Sequence, residues 1–267
     1  MKRLLLLLLL TVSCSTESVE VDLYADCKPS IPKMEVSQAD ENGLIEFDII
    51  PDIQNKGVAI TDKIWSSGII HYYIQGHRQV SGGVMLGFES QEDLQKIRYA
   101  IDDFWARTGI VFIEHNSPET LRLVSPNGIR IERGFSGGSS HLGMQGGIQR
   151  LTLPTGLEQS VTQHEIGHAL GLLHEFKRSD RDEYVTIIWE NIPERMHNQF
   201  ELDPTSVDCG NFDLESIMMY GSFEVKKDST SPEMTLLNGK TFERLTTLSD
   251  GDIRTIKSLY ELEFNKR

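Results

Sequence analysis

The chain has 267 residues, of which 39% are hydrophobic, and carries a formal net charge of −14. That length accommodates one sizeable domain behind a short leader, and the apolar share suits a globular protein with a substantial core. So acidic a balance argues against nucleic acid as a partner.

Lys2 and Arg3 precede Leu4 to Leu10, a positive region followed by a short apolar run. This reads as a signal peptide, because a spanning helix needs about 20 apolar residues. The leader ends Thr11-Val12-Ser13-Cys14. A small residue before a cysteine at that place is similar to a bacterial lipoprotein box, which implies lipidation at Cys14; Thr11 departs from the usual leucine. Residues 1–14 are therefore expected to direct export, to a lipid-anchored position in a bacterial envelope or to the medium. Residues 15–56 are acidic, contain Pro29 and Pro32, and show no long periodic run; they read as a tether and pro-segment. Residues 57–267 are expected to form the main folded domain, a monomer. Apart from Cys14, only Cys27 and Cys209 are present. An exported pair can form a disulfide, and a thiolate at Cys27 could instead hold a metal.

Within the domain, Ile69 to Ile74 reads as a strand. Glu92 to Thr108 places Leu94, Ile97, Ala100, Ile101, Phe104 and Trp105 at helical spacing, and Gly109 ends the run. Ile110–Ile113, Leu121–Val124 and Ile129–Ile131 are short strand candidates. Residues 134–147 are glycine-rich but lack the helix-opening fingerprint of a phosphate loop. Ser160 to Leu173 reads as a helix with Ser160 as its N-cap, and Ser249 to Leu262 as a C-terminal helix capped by Ser249 with Asp252 at the third helical position.

The most informative segment is His164-Glu165-Ile166-Gly167-His168-Ala169-Leu170-Gly171-Leu172-Leu173-His174. Residues four apart share a helix face, so His164 and His168 can aim both imidazoles at one metal ion. Zinc accepts such nitrogens, and three histidines leave a fourth tetrahedral position open, as in catalytic sites. Glu165 is placed to act as general base toward a metal-bound water. Were the helix to continue, His174 would lie roughly 15 Å along the axis from His164. The chain must turn, and Gly171 is the residue that turns it cheaply. His71, His77, His115, His141 and His197 lie outside this pattern and read as structural or exposed.

The next residue is Glu175, followed by Arg178-Ser179-Asp180-Arg181-Asp182 and, later, Ser216-Ile217-Met218-Met219-Tyr220. This set resembles the astacin family of metzincin zinc peptidases, whose motif is H-E-x-x-H-x-x-G-x-x-H-E, then R-x-D-R-D and S-I-M-H-Y. The likeness extends over roughly Trp65 to Tyr260. It implies an α+β, zincin-like fold of two subdomains: a twisted N-terminal sheet with the active-site helix, and a mostly irregular C-terminal part ending in a helix. It implies one catalytic Zn2+ on His164, His168 and His174, Glu165 as base and proton shuttle, and Tyr220 as oxyanion donor. Met218 would be the methionine of the turn beneath the metal, and Glu175 the anchor for the N-terminus freed by cutting after Lys56. Met219 departs from the family histidine. Residues 134–147 would supply the edge strand that pairs with an extended substrate. Leu44-Ile45-Glu46-Phe47-Asp48-Ile49 is similar to the family pro-segment motif L-F-E-G-D-I, making Asp48 a possible latency switch, with Cys27 a competitor and Asp52 a weaker one. The implied function is hydrolysis of peptide bonds in proteins; a catalytically silent envelope binding protein on the same fold is the alternative.

Overall fold

The computed structural model describes residues 63–267 except 77, 81–82, 86, 135–136, 155, 204–205 and 226–229, together with two strands ahead of residue 63. The leader, Cys14, Asp48, Asp52, Lys56, Gly57 and His77 lie outside the described residues. In chain order the elements are β1 (Cys27–Pro29), β2 (Ile49–Ile50), β3 (Ile69–Ile74), β4 (Arg78–Val80), β5 (Gly83–Met85), α1 (Gln91–Thr108), β6 (Val111–Glu114), α2 (Pro118–Val124), β7 (Gly128–Arg133), β8 (Ser139–His141) and β9 (Ile148–Leu153). They continue with α3 (Gln159–Ala169), β10 (Val185–Ile187), α4 (His197–Phe200), β11 (Val207–Cys209), β12 (Met234–Leu236) and α5 (Asp250–Phe264).

Six strands form one sheet in the order β2-β8-β9-β7-β3-β6. β9, β7, β3 and β6 run parallel, whereas β8 is antiparallel to β9. Buried parallel strands read as nearly continuous apolar runs, and β3 accordingly buries Ile70, Tyr72 and Tyr73. Helix α1 starts at Ser90, whose side chain accepts the Asp93 N–H, and stops at Gly109 with φ 83°. Ile97, Ile101 and Phe104 of its apolar stripe join a core with Ile129, Ile131, Leu151 and Ile166, and Ala100 is buried with them. Each large side chain among these contributes roughly 1.5–3 kcal/mol by leaving water. Trp105, expected with that stripe, lies at its rim and is 59% exposed.

Two expectations are corrected. Leu121–Val124 is not a strand but the end of α2, started by Pro118 at its first turn and by a capping box in which Ser117 and Thr120 exchange hydrogen bonds. Four residues, three of them apolar, carry no decisive period, so the Ser-Pro start signal decides. Only Leu121 is buried there; Leu123 and Val124 face solvent. Ser160 is also not a cap: α3 runs from Gln159 to Ala169 behind Glu158, which makes no side-chain cap bond. By contrast, α5 has the expected cap, Ser249 and Asp252 exchanging side-chain-to-backbone bonds.

From Glu175 to Ser249 the chain is mostly single 3-10 turns and loops, with the short β10–β12 pair as its ladder. This half buries its own apolar cluster of Phe176, Val185, Ile192, Phe200, Phe212, Met219 and Met234. The expected two-subdomain α+β architecture is therefore present. No helix among the described residues is long and apolar enough to cross a membrane.

Candidate metal centre and active site

Helix α3 carries His164 and His168 on successive turns, and its ending sets the position of His174. Gly171 takes φ 102°. Its N–H reaches the His168 carbonyl and the Leu172 N–H reaches the Gly167 carbonyl, both within 3.0 Å. This is a Schellman ending, which satisfies carbonyls that a broken helix would strand. The remaining carbonyls at this end are met from far along the chain: Trp65 Nε1 donates to Ala169 O at 2.8 Å and the Tyr260 hydroxyl to Leu170 O at 3.2 Å. Both ends of the domain thus clamp the helix where the chain turns back.

The turn brings three imidazoles together. His164 Nε2 lies 3.1 Å from His168 Nε2 and 3.3 Å from His174 Nε2. Two zinc–nitrogen bonds of about 2.0–2.1 Å at the tetrahedral angle would set nitrogens roughly 3.3 Å apart. All three rings are buried, at 1%, 0% and 1% exposure. His164 Nδ1 lies 2.9 Å from Ile217 O and His168 Nδ1 2.8 Å from Leu172 O. Those carbonyls fix the ring orientation and leave Nε2 to face the centre. Among the described residues, these three form the group placed to hold a metal ion, and the donor set fits zinc. Glu165, one residue after the first histidine, is also buried at 1% exposure. The Tyr220 ring stands 4.5 Å from the His174 ring and 6.3 Å from that of His164, centroid to centroid. The Arg244 guanidinium lies 5.8 Å from its centroid.

Met218 packs directly against Gly167 of α3. A Cβ built on Gly167 would come within 2.6 Å of Met218 Sδ. Gly167→Ala should therefore overpack this contact and cost about 1–3 kcal/mol, which chemical denaturation would measure; an unchanged midpoint would mean that the turn yields freely. Met219, where the family pattern has histidine, points instead into the lower core and is 1% exposed. An imidazole there would lie among aromatic and aliphatic neighbours, so methionine at this place fills space.

Sequence reading gave Asp252 only a capping role. The same carboxylate accepts the Ser216 hydroxyl at 2.6 Å, the Ile217 N–H at 2.9 Å and the Ser249 N–H at 2.9 Å. It therefore ties the start of α5 to the methionine turn, whose Ile217 carbonyl orients His164. The distance of 36 residues between Ser216 and Asp252 hid this from any local pattern.

Glu175 faces a cavity shared with Leu173, Asp213, Met218 and Asp252. Its Oε1 accepts the Asp213 N–H at 2.9 Å, and Arg178 Nε stands 3.5 Å away. Burial pushes the Glu175 carboxyl up to about 8; Arg178 and the Asp213 N–H pull the other way. Arg178 is held by both oxygens of Asp180 and by the carbonyls of Cys209 and Gly210. Arg181 donates to the carbonyls of Phe176 and Phe200. The charged run after His174 is thus scaffolding for the lower half. His71 and His115 lie 2.9 Å apart on and just beyond neighbouring strands and take no part in the metal group.

A sheet with a buried histidine triad on a helix-and-turn, and a methionine turn beneath it, defines the metzincin class of zinc peptidases. The family model of astacin, a peptidase family, matches residues 58–261, and the chain belongs to that family. Its relatives include the low choriolytic enzyme of Oryzias latipes, 32% identical over 177 residues covering 65% of this chain and 62% of that protein. Flavastacin of Elizabethkingia meningoseptica is 27% identical over 201 residues, 74% of this chain and 42% of the other. The zinc metalloproteinase nas-8 of Steinernema carpocapsae is 28% identical over 218 residues, 78% and 47% of the two chains. The chain thus spans about half the length of several curated relatives that it matches. Among solved structures, high choriolytic enzyme 1, a hatching enzyme zinc-protease of Oryzias latipes, superimposes with a TM-score of 0.59 at 28% identity, covering 74% of this chain and 93% of that one. Myroilysin, at 15% identity and a TM-score of 0.53, shares the fold. The family is one of zinc metallopeptidases.

Proposed function

We propose that this protein is an exported zinc metalloendopeptidase that cleaves peptide bonds in proteins or peptides. The observation that carries the reading is the buried cluster of His164, His168 and His174 with Glu165 on the same helix. A module that only bound a partner would have no use for a buried base beside a metal triad.

Zinc, when bound, supplies Lewis acidity: it polarises the scissile carbonyl and lowers the pKa of water. The protein supplies the rest. Glu165 takes the proton from the attacking water and returns it to the leaving amine. Tyr220 donates its phenolic hydrogen to the oxyanion that develops on the carbonyl oxygen. Strand β8 is the antiparallel edge of the domain's own sheet, and an extended peptide added there would gain main-chain bonds with little dependence on its side chains. The parallel pairing of Ile49–Ile50 with Ser140–His141 occupies this edge and supports reading residues 15–56 as a pro-segment. Asp48, immediately before that strand, is our choice for the latency switch. After cleavage behind Lys56, the new ammonium would enter the acidic cavity beside Glu175. Residues 1–14 would direct export, with Cys14 lipidated in a bacterial envelope or the protein secreted.

Cleavage of an unfolded protein by residues 57–267 tests the activity. We expect hydrolysis that a chelator abolishes and stoichiometric zinc restores. Folded, zinc-loaded protein that leaves a broad peptide library intact would instead support a silent binding protein.

A further inference from the structure

The segment ahead of the catalytic domain meets it at two described places. β2 lies on the edge strand, and β1 runs antiparallel to β11 with Cys27 directly opposite Cys209. Cys209 is disulfide-bonded. The chain has three cysteines, so an internal partner is Cys14 or Cys27. Residues facing each other across an antiparallel pair have Cα atoms about 4.5–5.5 Å apart, inside the window of roughly 4.4–6.8 Å that a disulfide spans. Cys14 lies in the leader, at the position read as lipidated.

We propose that Cys27 is the partner of Cys209, and that this bond holds the pro-segment on the enzyme after the chain is cut behind Lys56. The proposal rests on the reading of residues 15–56 as a pro-segment. Cutting one peptide bond would free the N-terminus of the catalytic domain but release nothing. Cys27 and Ile49 lie on the same side of the cut, so the severed piece keeps both its covalent anchor and its strand. Covalent tethering gives an effective concentration of order millimolar, so β2 returns to the edge strand in competition with substrate. The anchor also adjoins the acidic cavity: the carbonyls of Cys209 and Gly210 accept from Arg178 at 3.0 and 2.9 Å, and Arg178 faces Glu175. Activation then has two stages. The first is hydrolysis after Lys56. The second is either a further cut between β1 and β2 or reduction of the cystine by a dithiol, in which two electrons and two protons pass to the sulfurs, giving two cysteine thiols and an oxidised dithiol. This use of Cys27 leaves no thiolate for the metal.

The test uses the full chain with one specific protease site engineered at 56–57, cut to completion under oxidising conditions. Its mass is read with and without a phosphine, a reductant chosen because dithiols also take zinc. We expect one species containing both pieces, which reduction separates, whereas Cys27→Ser separates without reductant. After large dilution, the cut Cys27→Ser protein and the reduced wild type should each be at least about tenfold more active than the tethered wild type. Separation without reductant overturns the bond, as does peptide mapping that joins Cys209 to Cys14 or to another molecule. Alkylation of Cys27 in the native, unreduced protein would also overturn it and return Cys27 to the metal-capping role. Tethered protein as active as Cys27→Ser overturns the inhibition. The mass readout needs no activity and no variant. If every form is inert with zinc bound, the peptidase reading fails while the bond stands.

Discussion

Glu165→Gln is expected to lower kcat by roughly 10²–10⁴-fold, the usual range for a lost general acid–base group, with zinc content and fold unchanged. Glutamine keeps the length and planarity of the side chain in a position that is 1% exposed, so the histidines need not move. What it loses is the ability to accept and hand back a proton. Because that function belongs to the transition state, KM should change little while kcat/KM falls with kcat. Stoichiometric zinc measured on the variant separates this from loss of metal. A zinc-loaded variant keeping more than about a tenth of the wild-type rate would remove Glu165 from the role of base.

Asp252→Ala should have the largest effect on stability away from the metal. It leaves the Ser216 hydroxyl and the Ile217 and Ser249 N–H groups without their acceptor. Buried groups stranded in this way cost about 1–3 kcal/mol each, so we expect a loss of several kcal/mol in a thermal or denaturant melt. Zinc affinity should fall too, by about 10–100-fold as for other changes behind a metal ligand, because the freed turn carries the carbonyl that orients His164. Ser249→Ala provides the comparison: it removes the cap of α5 but leaves Asp252 on the turn, and should cost about 1 kcal/mol. Equal effects for the two substitutions would mean that Asp252 acts only as a cap.

Met219 and Trp105 mark where local pattern stops informing. Neither spacing nor residue type tells that Met219 serves the lower core or that Trp105 sits on the rim of α1. Leu121–Val124 failed for a related reason: three apolar residues in four fit two periods, and only the Ser117 cap and Pro118 separate them. The end of α3 was legible in part. Gly171 announced the turn, but that Trp65 and Tyr260 meet the last carbonyls of the helix depends on contacts of 104 and 90 residues' separation.

By itself, then, the sequence determined what is written in short-range chemistry. Two histidines four apart, a carboxylate between them, a glycine that alone turns cheaply and a third histidine define a metal set, because helix geometry converts spacing into direction. The cap at Ser249 and the apolar stripe of α1 follow from the same local rules. Tertiary structure alone decided what links distant segments: the carboxylate of Asp252 on the methionine turn, the burial that raises the Glu175 carboxyl, and Cys27 opposite Cys209. Those depend on loop closure and burial, whose energies belong to the folded whole and leave no periodic trace along the chain.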